Sequence, residues 1–210
     1  MRIVLLGPPG SGKGTQAQKL GRNLGLPHVG MGDMLREALK NRTPLGERAK
    51  GFMNSGKLVP DSIILELLGE RIEGTKEGFI LDGFPRTLEQ AKRLDALLEK
   101  ERENLDLVIN LKVREETILR RLPGRLVCSE CGQVYQRANL SSSTQRCPSC
   151  GAPLLSRTDD VSDTLKKRIE IYLEHTHPLI DYYKKKGILQ DVSGEGNPQE
   201  VFDRIVKILN

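Results

Sequence analysis

The sequence predicts an α/β fold: a parallel sheet of about five strands, helices on both faces, and one small insert of different character. Three observations predict it. Short apolar runs dense in Ile, Leu or Val alternate with longer segments of helical period. A glycine-rich turn joins the first of those runs to the first helical segment. Between Arg125 and Leu155 the periodicity fails, and all four cysteines of the chain lie in that stretch.

Residues 3–6, 78–81, 107–111 and 188–192 are the apolar runs, short and continuous as strands buried on both faces are. Residues 13–24 form the first helical segment. Between Pro60 and Arg71, Ile63, Ile64, Leu67 and Leu68 recur at helical spacing, and 88–98 repeats the pattern. The stretch 163–186 is long and amphipathic, and 198–209 closes the chain with Val201, Ile205 and Ile208 on one face. Right-handed crossovers then put the C-terminal strand ends, and any ligand, along one edge of the sheet.

A chain of 210 residues is long enough for one main domain plus an insert. No run approaches the roughly 20 apolar residues of a membrane-spanning helix. Lys and Arg number 33 against 28 acidic residues; this mild excess suits a nucleotide or phosphate ligand and does not demand nucleic acid. The N-terminus has no signal-peptide pattern, so the expectation is a cytoplasmic protein in a reducing compartment, with no membrane attachment.

Gly7-Pro8-Pro9-Gly10-Ser11-Gly12-Lys13-Gly14-Thr15 matches G-x-x-x-x-G-K-[ST] in full, and it stands between a strand and a helix as that phosphate-binding motif requires. Glycine lets such a loop turn tightly and aim its amides at phosphate oxygens, and the following helix adds its positive end. Lys13 supplies a point charge to the outer phosphates, and the Thr15 hydroxyl is a ligand for Mg²⁺. Phe79-Ile80-Leu81-Asp82 is a strand ending in a carboxylate, which suits a place near that ion. In the following Gly83-Phe84-Pro85-Arg86-Thr87, Pro85 fixes the backbone and Arg86 projects toward the same edge.

Cys128-x₂-Cys131 and Cys147-x₂-Cys150 are separated by fifteen residues, the spacing of a four-thiolate metal site. A reducing compartment argues against disulfides, and two matched pairs in one insert argue against a redox motif. Four ligands leave no open position, so the role expected is structural, replacing a core the insert lacks. Zn²⁺ suits four sulfurs best, with iron or cobalt as alternatives.

Several motifs occur in fixed order: GPPGSGKGTQ at the start, MGDMLR at 31–36, GKLVPD at 56–61, LDGFPRT at 81–87, RLPGR at 121–125 and RTDD at 157–160. By these the chain resembles the adenylate kinase family of nucleoside monophosphate kinases, in the form with a four-cysteine zinc-binding lid. The resemblance runs from Met1 to the last helix. It implies a P-loop NTPase-type sheet and the reversible reaction of ATP with AMP to give two ADP, dependent on Mg²⁺ and protected from water by lid closure. It implies a core of residues 1–29, 60–123 and 161–210, a monophosphate-binding region at 30–59 and a lid at 124–160, in a monomer.

Residue by residue, the resemblance places ATP on Gly10, Ser11, Gly12, Lys13, Gly14 and Thr15. Arg121, Arg125, Val134, Tyr135 and Gly196 complete that half. It places AMP on Met31, Arg36, Lys57, Leu58, Val59, Gly83, Phe84, Pro85, Arg86 and Gln90. Lys13, Arg86, Arg125, Arg157 and Arg168 act on the transferring phosphoryl group, Arg157 and Arg168 also facing AMP. Thr15 and Asp82 are associated with Mg²⁺. Arg120 has no motif support and is expected at the surface, and none of His28, His175 and His177 is assigned to catalysis.

The chain departs from the family where Met31 stands in place of a threonine. A thioether packs against a base but donates no hydrogen bond. A kinase for UMP, CMP or GMP is therefore the alternative in the same class. The alternative from another class is a zinc-ribbon nucleic-acid-binding ATPase, disfavoured by the small basic excess and the absence of an aromatic platform.

Overall fold

A computed structural model describes residues 1–72, 75, 77–141, 143–160 and 162–209. Ser142 in the serine run, and Val161 and Asn210 at the ends of the expected last core segment, lie outside them. The main sheet has five parallel strands in the order β2-β3-β1-β4-β8, with β1 at Arg2–Leu6, β2 at His28–Gly30, β3 at Phe79–Asp82, β4 at Leu107–Lys112 and β8 at Leu189–Ser193. The four apolar runs are β1, β3, β4 and β8; β2 was not foreseen.

Alternate side chains of each strand serve opposite faces. Val4, Leu6, Phe79, Leu81 and Val108 join one core cluster, and Ile3, Leu5, Ile80, Ile109 and Leu111 join the other. The second cluster takes Ala17 and Leu20 of α1 (Lys13–Leu24) and Val201 and Ile205 of α9 (Pro198–Leu209). The first takes α4 (Asp61–Ile72) through Ile63, Ile64, Leu67 and Leu68, and α5 (Leu88–Lys100) through Ala91, Leu94 and Leu98. Thr87 caps α5 by accepting from the Gln90 amide at 3.1 Å. The helix pair α2 (Met31–Lys40) and α3 (Pro44–Asn54) also rests on this face, through Met31, Leu35 and Ala49.

After β4, α6 (Glu115–Arg121) leads into a separate antiparallel sheet. Its central strand β5 (Arg125–Cys128) pairs with β6 (Val134–Gln136) and β7 (Leu154–Ser156). Among its described residues from 125 to 156, only Leu126, Cys128 and Cys147 are buried, so this sheet has almost no apolar core of its own. The long amphipathic stretch is broken into α7 (Ser162–Ile171), a π-helical turn at Tyr172–Thr176 and α8 (Pro178–Lys185). No helix among the described residues is long and apolar enough to cross a membrane.

Candidate active site

The strand order reverses at β1, and the phosphate loop leaves its C-terminal end. Gly12 caps α1 with φ of 100°, a left-handed conformation that costs glycine nothing. At Gly7 a Cβ would stand 2.7 Å from Ser11 Oγ and 2.8 Å from the Leu111 carbonyl, so the loop tolerates no side chain there. The first turn of α1 has no acidic residue and no side-chain cap, which leaves its positive end available to an anion.

The loop opens on a cavity of about 970 Å³. Eleven Lys and Arg side chains line it against three carboxylates, Asp33, Asp82 and Asp159, so an anion is the ligand it is built to take. Its phosphate-loop wall is made by Gly10, Ser11, Gly12, Lys13, Gly14 and Thr15. Lys13 Nζ arches back to the Gly7 and Pro8 carbonyls at 2.7 and 2.9 Å. Burial pushes its pKa down to about 8; Asp82 opposes the shift, and Arg86, Arg168 and Arg125 add to it. A Cβ on Gly14 would lie 3.1 Å from Asp82 Oδ2, so the end of β3 lies against the first turn of α1. Thr15 and Asp82 thus offer hard oxygen donors to one space, a donor set that fits Mg²⁺.

On one side of the loop, α2, the 57–59 segment and the turn after β3 bring Met31, Arg36, Lys57, Leu58, Val59, Gly83, Phe84, Arg86 and Gln90 to the wall. Pro85 does not reach it. The turn from Gly83 to Arg86 sends its ring behind the phosphate loop, to a void of about 70 Å³. Arg86 is half-buried and donates from Nε to the Gly83 carbonyl at 2.8 Å; desolvation first, and Arg168 next, lower its pKa. Gln90 accepts from the Arg86 amide at 2.7 Å and donates to Asp61 at 2.6 Å, which fixes its amide plane. Met31 is fully buried.

On the other side, Arg121, Arg125, Val134, Tyr135, Arg157, Arg168 and Gly196 line the same cavity. Arg121 spans the 194–196 loop, donating to the Gly194 and Gly196 carbonyls at 2.9 and 3.0 Å. Arg125 binds Asp160 with two nitrogens, at 2.7 and 2.5 Å, and Arg168 reaches the same carboxylate at 2.9 Å. Arg157 pairs with Asp33 at 3.4 Å, and Arg36 pairs with the same Asp33 oxygen. Burial lowers the Arg157 pKa to about 10, helped by Arg36 and Arg125. Burial opposes ionisation of Asp33, yet Arg36 and Arg157 hold its carboxyl below the usual range.

The motifs quoted from the sequence thus bring their basic residues together. Their carboxylates Asp33, Asp159 and Asp160 were assigned nothing, although each stands inside one of those motifs. Arg120 is exposed as expected, but it also sits on the cavity rim. His28 has its Nε2 3.9 Å from Asp82 Oδ2, while His175 and His177 are exposed.

The four cysteines are unpaired, and their Sγ atoms lie within 4.8 Å of one another. Cys128 and Cys150 approach to 3.4 Å and Cys131 and Cys147 to 3.7 Å. A tetrahedron of sulfurs at about 2.3 Å from a central Zn²⁺ has edges of about 3.8 Å, so the cluster fits that ion. The Tyr135 hydroxyl is committed to this cluster, 3.2 Å from Cys147 Sγ and 3.0 Å from Ser149 Oγ, and the ring remains to the cavity. The insert closes on the body through Arg157 with Asp33, Lys40 with Glu130 at 3.3 Å, and Gln18 with the Gly132 carbonyl at 3.3 Å.

Comparison with known proteins agrees with this geometry. A family model described as adenylate kinase matches residues 5–188. The adenylate kinase of Thermodesulfovibrio yellowstonii is 47% identical, covering 100% of this chain and 99% of its own. That of Moorella thermoacetica is 46% identical over 92% of this chain and 91% of its own, and that of Archaeoglobus fulgidus is 44% identical over 100% and 98%. The chain belongs to the adenylate kinase family, the enzymes of ATP:AMP phosphoryl transfer.

Proposed function

We propose that the cavity seats ATP and AMP phosphate to phosphate, with the phosphate loop as the divide. The cluster of half-buried cations carries this reading. Burial and the neighbouring guanidinium groups lower the pKa of Lys13, Arg86 and Arg157, and a highly charged anion such as a polyphosphate makes such a concentration of cations favourable.

In this reading Gly10 to Thr15 cradle the ATP phosphates, Lys13 neutralises the outer two, and Arg121, Val134, Tyr135 and Gly196 bound the nucleoside. Arg36 and Arg86 hold the AMP phosphate. Gln90 reads the adenine edge, and Met31 with the Lys57-Leu58-Val59 segment packs against the base. An AMP phosphate oxygen attacks the γ-phosphorus as its bond to the β-bridging oxygen breaks, giving two ADP. That oxygen is already ionised at neutral pH, so the site needs no general base. Charge gathers on the equatorial oxygens, where the forks of Arg125, Arg157 and Arg168 bind in pairs. Mg²⁺, held near Thr15 and Asp82, supplies further neutralisation of the phosphates when bound.

The 30–59 helices and the 124–160 sheet act as the two moving parts, with 1–29, 60–123 and 161–210 as the core. Closure excludes water, to which ATP would otherwise lose its phosphoryl group. Zn²⁺ on Cys128, Cys131, Cys147 and Cys150 is structural. That one chain carries both halves of the cavity supports a monomer, and the unpaired thiols support a reducing, cytoplasmic compartment. The test is ADP formation from ATP and Mg²⁺ with AMP, UMP, CMP and GMP in turn. AMP is the expected acceptor, and Lys13→Met abolishes the rate. Faster transfer to another monophosphate, or normal turnover by Lys13→Met, refutes the assignment.

A further inference from the structure

The π-helical turn Tyr172–Thr176 is closed by the His177 amide, which donates to the Tyr172 carbonyl at 2.8 Å. A threonine hydroxyl in a regular α-helix bonds back to the carbonyl four residues earlier. Thr176 Oγ1 instead donates at 2.9 Å to the carbonyl of Arg86. Thr176 is buried, so bulk water does not compete for the bond.

The Arg86 peptide is consequently held on both sides. Its N–H donates to Gln90 Oε1 at 2.7 Å and its carbonyl accepts from Thr176, while the side-chain Nε is fastened to Gly83 at 2.8 Å. The widened turn adds one residue to the helical repeat and rotates the residues C-terminal to it by about 100°. One run of chain thereby presents Arg168 to the cavity and Thr176 to the back of Arg86.

We propose that Thr176 is a positioning residue for phosphoryl transfer: its hydroxyl sets the Arg86 peptide, and with it the angle at which the guanidinium meets the AMP phosphate. The proposal rests on the reading of Arg86 as a ligand of that phosphate. Thr176 touches no substrate. Replacing its hydroxyl with a methyl group leaves the Arg86 carbonyl without a partner, and the turn must shift to find one. Lys13 and the phosphate loop have their own hydrogen bonds, so the disturbance falls on AMP and spares ATP.

The experiment compares Thr176→Val, Thr176→Ser and Arg86→Lys, with AMP and ATP varied separately. Thr176→Val is expected to raise KM for AMP roughly 3- to 10-fold while KM for ATP moves less than about 2-fold, the size of one lost neutral hydrogen bond. Thr176→Ser restores KM for AMP. Equal effects on both substrates, or no rescue by serine, mean a merely structural residue and overturn the proposal. An unchanged KM for AMP in Thr176→Val, with a raised one in Arg86→Lys, overturns it and leaves the reading of Arg86 standing. No effect in either variant removes both. Should Thr176→Val fail to fold, Thr176→Ala is judged by the same split.

Discussion

Asp160 pairs with two of the arginines that line the cavity. Its side chain is 6% exposed, and it holds Arg125 at 13% and Arg168 at 18%. Asp160→Asn keeps the shape and removes the charge. Breaking a buried ion pair by removing one partner costs about 3–5 kcal/mol. Two features of the site reduce that: asparagine keeps one acceptor oxygen, and Arg168 retains Asp159 at 3.0 Å. We therefore expect a loss of about 2–3 kcal/mol, from three charge-assisted hydrogen bonds reduced to two weaker ones, with one arginine N–H left facing the new amide group. In a domain of this size each kcal/mol moves the melting temperature by about 2–4 °C, so calorimetry should find a drop of about 4–12 °C. A bisubstrate dinucleoside polyphosphate supplies both arginines with new anionic partners and should recover most of the difference. A ligand-free melting temperature within about 1 °C of the parent would refute the reasoning, because the triad would then contribute nothing net.

Two further outcomes are expected. Metal analysis of fresh protein finds one equivalent of Zn²⁺; its chelation lowers the melting temperature and exposes the β5–β6–β7 amides to hydrogen exchange first, while nucleotide still protects the phosphate loop. Well under one equivalent, or loss of protection in the main sheet first, contradicts this. Lys13 is held at about 8 against 10.5 unfolded, so between those values the unfolded chain binds the extra proton and ligand-free stability gains from Lys13 as pH rises. ATP restores the charge, so at a pH of about 8.5 calorimetry in buffers of different ionisation enthalpy should record uptake approaching one proton per nucleotide; proton release refutes it.

The features legible in advance were those that lie close together along the chain. β1 and α1 follow from a continuous apolar run, a glycine turn and a helical repeat within a couple of dozen residues. β2 could not be read: His28-Val29-Gly30 is three residues long and is a strand only because β3 pairs with it. The α2–α3 pair left a usable signal, since Thr43 before Pro44 is a helix start and Thr43 does accept from the Gly46 amide. The π turn left none, and the Thr176 bond that accompanies it depends on where Arg86 lies. The site divides in the same way. Its basic residues sit inside short motifs, whereas the partners that orient them meet only in the fold: Asp33 with Arg157, Asp160 with Arg125, Thr176 with Arg86.

On the proposed function, those partners also account for how a cavity so rich in positive charge lets its products go. A phosphate that reaches Arg36 meets a guanidinium already paired with Asp33, and one that reaches Arg125 or Arg168 meets Asp160. The affinity gained is the difference between two anionic partners, not the full attraction of an unpaired buried cation. One of the contacts that join the insert to the body is similarly modest. Lys40 and Glu130 are both 65% exposed, a class of ion pair worth about 0–1 kcal/mol. In the proposed reading, nucleotide phosphates bridging the arginines of the two sides add the driving force for closure. In that reading, once ADP leaves, Asp33 takes back Arg157 and Asp160 takes back Arg168, so paired rather than bare cations remain between the insert and the rest of the chain.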